Sequence, residues 1–505
     1  MNLVRRIEAI LDGTTMYRSL LYSLITILCA AMFFGAIGVM PYSPYSIAIS
    51  AALTVGACYV LNYLFAKIYK APTNGESAIL TGLILTLVVA PVLSTKDVPF
   101  ILAASGLAIA SKYVLAIRNK HIFNPVAIAV VLTAFGPQES ANWWVGSIWL
   151  LPFVVLCGIL VIRKIRRVRM SLIFFATAIL SSLLFAALAG QNLATTATAV
   201  ILHSSLFFLG FIMLTEPATS PTTRRKRYVY AAIVGMLFAP ALHIGSIYFT
   251  PELALVIGNI FAFLVTPMVK TKVQLIGAQW FGSRTQDLQF AAEASFDYKP
   301  GQYIEMTMPH HRPDSRGVRR YFTLASSPTE KPLHLGVRYY DPSSSFKKVL
   351  QKPEDHQMAF GQVGGDFVMP HDTTKKLAFI AGGIGITPFR SMAKYMTDMG
   401  EKRDVTLLYA ERSEQDIAYL DVLEAARQKI GMQTYYLLDS PASERPYFVQ
   451  ARITDAAIAK LIPDYRERIF YVSGPQPMVR DMKTTLRHMG VPRGHIKTDY
   501  FPGYA

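Results

Sequence analysis

The chain has 505 residues, 52% of them hydrophobic, and a formal net charge of +17. Its mean hydropathy of +0.32 excludes an ordinary soluble protein as a description of the whole chain. Residues 1–272 hold 20 Lys and Arg against 7 Asp and Glu, whereas the remainder holds 30 against 26. Because the basic residues of the first half lie in short loops between apolar runs, this charge pattern argues against nucleic-acid binding.

The first half of the chain is typical of a series of membrane-spanning helices, each of which needs about 20 mostly apolar residues. No signal-peptide cleavage pattern is evident, so we interpret the first apolar run as a retained helix. Ten candidate spans follow, near residues 17–40, 46–66, 77–95, 98–117, 121–136, 146–162, 170–189, 194–214, 228–246 and 250–269.

The placement of Lys and Arg predicts the orientation of these spans, because basic loops stay on the cytoplasmic side. Every Lys and Arg of residues 1–272 except Lys96 falls in one alternate set of loops. Both termini, and everything after residue 272, are therefore expected in the cytoplasm. We expect a multi-pass protein of the cytoplasmic (inner) membrane, embedded in the lipid bilayer.

The cysteines and histidines of this half do not suggest a metal site. Cys29, Cys58 and Cys157 lie in apolar runs without metal-ligand spacing, and an iron–sulfur cluster needs about four thiolates. The histidines are on different spans and unpaired, namely His121, His203 and His243. A haem-containing ferric reductase, which would carry paired membrane histidines, is therefore disfavoured.

Three polar segments interrupt the cytoplasmic ends of spans: Asn74-Gly75-Glu76-Ser77, His121-Ile122-Phe123-Asn124-Pro125 and Thr215-Glu216-Pro217-Ala218-Thr219-Ser220-Pro221. Irregular backbone at membrane depth is tolerated only where protein or a cavity satisfies it, although each segment alone also fits ordinary helix punctuation. Together with the span count, they resemble the RnfD membrane protein of Rnf-type electron-transport complexes and its relative NqrB of the sodium-pumping NADH:quinone oxidoreductase, over about residues 45–270. The resemblance implies ten spans in two related halves.

One feature of those membrane proteins is missing. They usually attach FMN covalently to a Thr of a Ser-Gly-Ala-Thr-like motif, in a long outer loop after the Asn-Pro span. Here that loop is only Gly136–Gly146 and lacks Gly-Ala-Thr, and the Ala194–Thr198 run is a weak substitute in another loop. We expect no covalent FMN, which leaves open a second, noncovalent flavin in the membrane domain.

The second half changes to short alternating strands from about residue 274 and to strands alternating with helices from residue 376. The first pattern predicts a small antiparallel β-barrel, and the second predicts a parallel α/β sheet. We expect a membrane domain over residues 1–272, a barrel over 273–372 and an α/β domain over 373–505, and the motifs described next indicate what the last two domains bind.

Five segments of this half carry candidate cofactor-binding chemistry. They are Arg320-Tyr321-Phe322-Thr323; Ser343-Ser344-Ser345, opening a helix; Gly382-Gly383-Ile384-Gly385-Ile386-Thr387-Pro388, between a strand and a helix; Ser473-Gly474-Pro475-Gln476-Pro477-Met478; and Asp499-Tyr500-Phe501 near the end. In this combination and order they resemble the ferredoxin–NADP reductase superfamily, over about residues 274–505.

The resemblance implies that the first two segments bind FAD. Arg320 would neutralise the diphosphate through forked hydrogen bonds. Phe322, in place of the family's Tyr and beside Tyr321, would flank the isoalloxazine ring, and Thr323 would bond near flavin N5. Ser344 and Ser345 would present backbone N–H groups to the FAD pyrophosphate, although they also fit a plain helix cap and the family's glycine is absent.

The remaining segments are assigned to NADH or NADPH. Glycines in the turn let backbone approach a dinucleotide, and the following helix faces its phosphates, so a side chain at Gly385 is expected to occupy the space of the dinucleotide. The resemblance implies that Ser473, Gly474, Pro475 and Met478 form the turn under the nicotinamide, and that Phe501 lies beside the flavin. Glu411 favours the ribose hydroxyl of NADH and Arg412 the 2′-phosphate of NADPH, so the coenzyme stays undecided.

These observations predict a flavin-dependent NAD(P)H oxidoreductase in which Thr323 and Ser473 are the catalytic side chains. Electrons would pass from NAD(P)H through FAD to a membrane flavin, a quinone or an outer-face flavoprotein. The reductase domain begins only a few residues after the last span, so FAD is expected close to the membrane surface. The alternative is a redox-driven ion pump or transporter in which the reductase domain is regulatory, since interrupted spans also suit transport.

Overall fold

The computed structural model describes residues 14–69, 75–117, 120–135, 141–245, 247–266, 270–293, 296–314, 317–352, 357–440 and 444–501. Within that part of the chain the molecule divides into two compact units, with the boundary between residues 269 and 270. Asn74, at the start of the first polar segment, lies outside the described residues, as do the side chain of Phe501 and residues 136–140 of the loop Gly136–Gly146.

The first unit is built from helices and two short antiparallel hairpins. The hairpins are β1 (Ala116–Ile117) with β2 (Lys120–His121), and β3 (His243–Ile244) with β4 (Ile247–Tyr248). The helices are α1 (Met16–Ala36), α2 (Pro44–Ile68), α3 (Gly75–Val88), α4 (Val98–Val114), α5 (Pro125–Phe135), α6 (Leu151–Lys164), α7 (Val168–Leu188), α8 (Leu193–Leu202), α9 (Leu206–Phe208, continued by a π-helical turn Leu209–Met213), α10 (Arg224–Met236) and α11 (Pro251–Val265).

Fewer helices than expected are long enough to span a bilayer. Among the described residues, four helices are long and apolar enough to cross a membrane. The helices Leu193–Leu202 and Leu206–Met213, which are bent by 51° relative to each other, would make a fifth if they form one span. The expected span near 121–136 becomes an 11-residue helix because it begins only at Pro125. At 1.5 Å per residue that is about 17 Å, against about 30 Å for a hydrocarbon core. Several apolar helices are therefore present, but the described residues do not confirm ten full spans.

Close helix packing in this unit depends on small residues, as is common in membrane proteins. Gly82 of α3 lies against the backbone of α2, since a Cβ at this position would be 2.6 Å from Val55 Cα. Hydroxyl side chains bond across the same contact, with Thr54 and Thr86 hydroxyls 2.7 Å apart. The contact therefore has no room for a larger side chain at Gly82.

The second unit begins with a curled antiparallel sheet. Its strands are β5 (Thr271–Phe281), β6 (Thr285–Ala292), β7 (Tyr303–Thr307), β8 (Arg319–Thr323), β9 (Leu333–Arg338) and β10 (Met358–Gly364), in the order β8-β7-β10-β5-β6-β9. The two edge strands approach each other through a bridge between Leu324 and Leu335. Phe290, Met306 and Phe360 fill the interior, and helix α12 (Ser345–Leu350) precedes β10.

A parallel six-stranded sheet follows. Its strands are β11 (Leu377–Gly382), β12 (Val405–Glu411), β13 (Gln433–Leu438), β14 (Phe448–Gln450), β15 (Ile469–Pro475) and β16 (Ile496–Phe501), in the order β14-β13-β12-β11-β15-β16. The central strand β11 is buried throughout, as expected for a strand covered by helices on both faces. The helices are α13 (Thr387–Met399), α14 (Leu420–Ile430), α15 (Asp455–Leu461) and α16 (Gln476–His488).

Candidate functional site

The glycine turn lies at the carboxyl end of β11, where ligands of open parallel sheets bind. Residues Gly383–Ile386 form one 3₁₀ turn that leads directly into α13. Gly383 has φ = +55°, a conformation that disfavours other residues. Pro388 occupies the first turn of α13, where its missing N–H costs nothing, and the Thr387 hydroxyl donates to Ile384 O at 3.1 Å.

The carboxyl end of β15 and the start of α16 pack directly against this glycine turn. A Cβ at Gly385 would lie 2.4 Å from Ser473 O and 2.6 Å from Gly474 Cα, and one at Gly382 would lie 2.1 Å from Met478 Sδ. The structure therefore brings Gly382, Gly385, Ser473, Gly474 and Met478 together at one edge of the sheet. The expectation that a side chain at Gly385 would enter the dinucleotide's space needs correcting, because the backbone of the neighbouring strand fills that space.

Two buried hydroxyls have no hydrogen-bond partner among the described residues: Ser473 Oγ at this edge and Thr323 Oγ1 at the end of the barrel strand β8. Thr323 is 2% exposed and Ser473 is 0% exposed. Burying an unpaired hydroxyl costs free energy, so such groups in native proteins call for an absent partner. Both are the side chains that the sequence predicts as catalytic.

The barrel and the glycine turn meet next to Thr323. Leu324 bridges to Leu335, and the following residue, Gly336, lies against the turn, since a Cβ there would be 2.5 Å from Thr387 Cγ2 and 2.8 Å from Ile384 Cδ1. Thr323 therefore precedes a residue that is bridged to the strand meeting the glycine turn, while Ser473 contacts the turn itself.

Arg320 lies near the amino end of α12, to which Asp314 connects it. Its guanidinium is 3.6 Å from Asp314 Oδ1 and 5.0 Å from the centre of the Phe346 ring. Asp314 Oδ2 accepts a hydrogen bond from Ser345 N at 3.0 Å, while the Ser344 hydroxyl caps the helix by accepting from Lys347 N. Asp314, which no sequence signal indicates, thus joins Arg320 to the serines.

The aromatic residues of the same strand lie apart from each other. Phe322 is 9% exposed and belongs to the barrel core, with its ring 6.2 Å from that of Phe346. Tyr321 is 47% exposed, and its hydroxyl donates to Glu305 Oε2 at 2.8 Å. The structure thus places Phe322 beside the Arg320 side chain and Tyr321 towards solvent. Phe501 ends β16 and pairs with Pro475, so its backbone lies at the same sheet edge as Ser473.

Glu411 ends β12 but does not face solvent. Its carboxylate oxygens accept hydrogen bonds from Arg338 Nη1, at 3.1 and 3.3 Å. Burial raises the pKa of the Glu411 carboxyl, and the Arg338 charge opposes that shift. Arg412 is exposed. The acidic residue that the sequence assigns to the ribose is therefore already paired, while the adjacent arginine is open to solvent.

A buried network without a sequence signal links the barrel to the parallel sheet. Tyr419 donates its hydroxyl hydrogen to Asp287 Oδ1 at 2.7 Å, and Asp287 Oδ2 lies 2.7 Å from His334 Nδ1. Burial, together with the Asp287 charge, raises the pKa of Tyr419 well above its usual range, so the tyrosine stays a donor. This network fixes the barrel strands β6 and β9 against the segment that precedes α14.

In the first unit, two of the three polar segments converge. Asn124 Nδ2 donates to Glu216 Oε2 at 2.9 Å, Thr219 Oγ1 donates to the same oxygen at 3.0 Å, and His121 Nε2 lies 3.8 Å from Glu216 Oε1. Asn259 of α11, which the sequence does not single out, accepts from Asn124 N at 2.8 Å. We call Asn124, His121, Glu216, Thr219 and Asn259 the membrane polar cluster.

A small cleft with a cavity volume of about 20 Å³ adjoins this cluster. Its walls are mainly apolar, with polar groups from His121, Thr219 and Thr266. The Thr266 hydroxyl is buried and has no partner among the described residues. Ser77, from the first polar segment, instead accepts a hydrogen bond from Lys112 Nζ at 3.1 Å.

Comparison with known families confirms both expected resemblances. Residues 142–274 match the NQR2, RnfD, RnfE family, and residues 379–484 match the oxidoreductase NAD-binding domain family. The chain joins an NQR2/RnfD/RnfE-type membrane part to a ferredoxin-reductase-like NAD(P)H oxidoreductase domain.

Individual relatives match the oxidoreductase half. The oxidoreductase NAD-binding domain-containing protein 1 of Bos taurus is 28% identical over 229 residues, which cover 41% of this chain and 72% of the relative. A flavohemoprotein of Rhodopirellula baltica is 27% identical over 40% of this chain and 53% of its own length. The reductase component of propane 2-monooxygenase from Rhodococcus jostii is 26% identical over 41% of this chain and 56% of its own length. The match thus spans only about half the length of the last two relatives.

Two solved structures also overlap with this half. The cytochrome P450 reductase GcoB of Amycolatopsis aligns with a TM-score of 0.42 and 19% identity, covering 47% of this chain and 72% of that one. The FAD/NAD binding domain of nitric oxide dioxygenase from Vibrio cholerae aligns with a TM-score of 0.40 and 19% identity, covering 46% of this chain and 98% of that one.

Proposed function

We propose that the protein is a membrane-bound oxidoreductase that passes electrons from NAD(P)H through FAD to an acceptor in or across the membrane. The observation that carries this proposal is the pair of buried hydroxyls without a partner among the described residues, Thr323 in the barrel strand β8 and Ser473 beside the glycine turn. FAD, when bound, accepts a hydride from NAD(P)H and releases electrons singly or as a pair. In this chain Thr323 would donate to the flavin ring, and Ser473 would position the nicotinamide.

The diphosphate of FAD would be held by Arg320 and the backbone N–H of Ser345. Both already contact a carboxylate, Asp314, whose oxygens have the acceptor character of a phosphate oxygen. FAD binding would therefore displace Asp314 or share these donors with it. Phe322 and Phe346 would support the Arg320 side chain from below.

We further propose the domain division 1–272, 273–372 and 373–505, with the membrane domain in the cytoplasmic membrane and both termini in the cytoplasm. The membrane polar cluster supports a second, noncovalent flavin in the membrane domain, because its amide, carboxylate and hydroxyl groups match the donors and acceptors of a flavin ring. The terminal acceptor would be a quinone or an outer-face flavoprotein.

A redox-driven ion pump is the second candidate function. It is favoured by Glu216, a carboxylate within the membrane unit that Asn124 and Thr219 both contact. An ionisable group among such spans is a candidate for ion passage. Ion flux that requires NAD(P)H oxidation, measured in sealed vesicles, would favour the pump over simple electron transfer.

The experiment that tests the proposed function uses the full chain purified in detergent. Acid extraction should release FAD, and the protein should reduce an artificial dye with NADH or NADPH. Arg320→Ala should weaken FAD binding by about tenfold or more, because a charge-assisted contact to the diphosphate is lost.

Arg319→Ala is the matched control, because the neighbouring Arg319 is 42% exposed and pairs only distantly with Glu305, at 3.9 Å. It should retain FAD as the unaltered protein does. A protein without FAD, or an Arg320→Ala variant with full FAD retention, would contradict the assignment.

A further inference from the structure

The buried network between the barrel and the parallel sheet contains a strained residue. Tyr419 immediately precedes α14 and has φ = +61°, a left-handed conformation that is costly for a residue with a bulky side chain. Its hydroxyl donates to Asp287 Oδ1 at 2.7 Å, and the two residues are 3% and 2% exposed. Backbone strain of this kind is concentrated at functional sites. The conformation of Tyr419 therefore indicates a role beyond the start of the helix.

Tyr419 contacts both parts of the oxidoreductase domain. The ring of Phe281, at the end of the barrel strand β5, lies 5.0 Å from its ring. The guanidinium of Arg390 in α13 lies 5.4 Å from the centre of the same ring. Arg390 Nη1 also donates at 3.1 Å to the backbone oxygen of Ala325, two residues after Thr323. The helix that follows the glycine turn thus contacts both Tyr419 and the segment after the Thr323 strand.

The Tyr419 hydroxyl also lies at the contact between β9 and the glycine turn. Gly336 of β9 pairs with Asp287 of β6. A Cβ at Gly336 would lie 2.9 Å from the Tyr419 hydroxyl. The same Cβ would lie 2.8 Å from Ile384 Cδ1 and 2.5 Å from Thr387 Cγ2. Tyr419, the barrel and the glycine turn therefore meet at one backbone position that has no room for a side chain.

We propose that Tyr419 is a positioning residue for hydride transfer. Anchored by Asp287, it sets the spacing between strand β9 and the glycine turn, and so the approach of the nicotinamide to the flavin. This inference rests on the proposed function and deepens it, because it assigns a residue that acts through the neighbouring backbone to the geometry of the transfer.

The transfer is sensitive to this spacing. A C–H bond of the dihydronicotinamide breaks, an N–H bond forms on the flavin, and both electrons move with the hydrogen, so NAD(P)H is oxidised and the flavin is reduced. The reacting atoms must approach to about 3–3.5 Å, and a displacement of about 1 Å can slow a reaction about 100-fold. Loss of the Tyr419 anchor is therefore expected to lower the rate and not the affinity.

The test uses the full-length, FAD-containing protein. With saturating NAD(P)H in stopped-flow mixing, Tyr419→Phe should slow flavin reduction by about tenfold or more. Its affinity for ADP-ribose, which carries the pyrophosphate without the nicotinamide, should be unaltered in calorimetric titration. The long-wavelength charge-transfer absorbance of NAD(P)⁺ stacked on the reduced flavin should decrease, because this band depends on the approach of the two rings.

Tyr436→Phe is the matched control. The Tyr436 side chain is buried, and its hydroxyl donates to a carboxylate, Glu424 Oε1, at 3.1 Å, but both residues belong to the parallel-sheet part. This variant loses a comparable hydrogen bond, so a purely structural role predicts that the two tyrosine variants behave alike. Tyr436→Phe should instead keep the unaltered rate of flavin reduction and the unaltered charge-transfer absorbance.

Gly336→Ala changes the same spacing from the strand, because its Cβ would press on Thr387 while Tyr419 and Asp287 stay intact. It should slow flavin reduction and weaken the charge-transfer absorbance as Tyr419→Phe does. Unaltered flavin reduction in either variant, equal slowing in Tyr436→Phe, or a loss of ADP-ribose affinity as large as the loss of rate would overturn the inference. The proposed function fails separately, if the unaltered protein lacks FAD or does not oxidise NAD(P)H.

Discussion

At the scale of single residues, the two unpartnered hydroxyls distinguish a cofactor site from a structural junction. A hydroxyl that serves only packing gains nothing from being buried unpaired, and its removal should stabilise the protein. A hydroxyl that serves the flavin is retained at this cost because it finds its partner only in the loaded protein. Removal of the Thr323 or Ser473 hydroxyl should therefore have opposite consequences in the two forms of the protein. It should stabilise the flavin-free protein and impair the FAD-containing protein.

Thr323→Val keeps the branched shape and removes the hydroxyl. We expect the flavin-free protein to become more stable by about 1 kcal/mol, because one buried unsatisfied group is gone. In the FAD-containing protein, stopped-flow mixing with NAD(P)H should show flavin reduction slowed by about tenfold or more, the cost of one hydrogen bond to the reacting ring.

Thr434→Val is the control for this variant, because the Thr434 hydroxyl in β13 is also buried without a partner in the described structure. It should stabilise the flavin-free protein similarly and leave flavin reduction unchanged. If both variants slow flavin reduction equally, Thr323 has no special role.

Residues that act through local backbone geometry could be predicted from the sequence. The glycine turn and the Arg320 segment are examples, because each is continuous in the chain and has a fixed place between elements. Asp314, Arg338 and Asn259 could not be predicted, because each reaches its site from a distant segment; Asn259 contacts a residue 135 positions earlier. Gly385 remains a predicted site residue, but a side chain there would meet the backbone of Ser473 and not the dinucleotide.

At the scale of elements, the short helix α5 brings the membrane polar cluster together. Asn124 caps it by accepting from Ala127 N at 3.1 Å, while its amide nitrogen donates to Glu216. The Asn-Pro sequence thus both starts the helix and orients a carboxylate. The same Pro125 shortens the helix, which is why counting apolar residues predicts a full span where the structure has 11 residues.

Asn124→Asp should separate these two roles. Aspartate caps helices as well as asparagine does, but it cannot donate to Glu216 and places two carboxylates side by side. We expect the variant to fold and retain FAD while losing the second flavin, as measured by flavin-to-protein ratios after acid extraction.

Asn192→Asp provides the control, because Asn192 caps the exposed amino end of α8 by accepting from Ala194 N and Thr195 N, away from the cluster. It should retain both flavins. A single flavin per chain in the unaltered protein, or a second flavin that survives in Asn124→Asp, would refute a flavin at this cluster.

At the scale of the whole molecule, one chain combines a ferredoxin-reductase-like oxidoreductase domain with a membrane part. Only five residues separate the end of α11 at Val265 from the start of β5 at Thr271. A single helix would suffice as an anchor, whereas this chain retains an NQR2/RnfD/RnfE-type part with a polar cluster inside it. We therefore expect electrons from NAD(P)H to enter the membrane part and not to be released only at the oxidoreductase domain.

The most direct test is reconstitution of the full-length protein into liposomes that contain a trapped, membrane-impermeant electron acceptor, with NAD(P)H added outside. A dye in the outer solution monitors the oxidoreductase domain, and a parallel preparation carries quinone in the lipid. We expect the trapped acceptor or the quinone to be reduced, and protein-free liposomes to reduce neither. Reduction of the outer dye alone, with both the trapped acceptor and the quinone left oxidised, would contradict electron transfer through the membrane part.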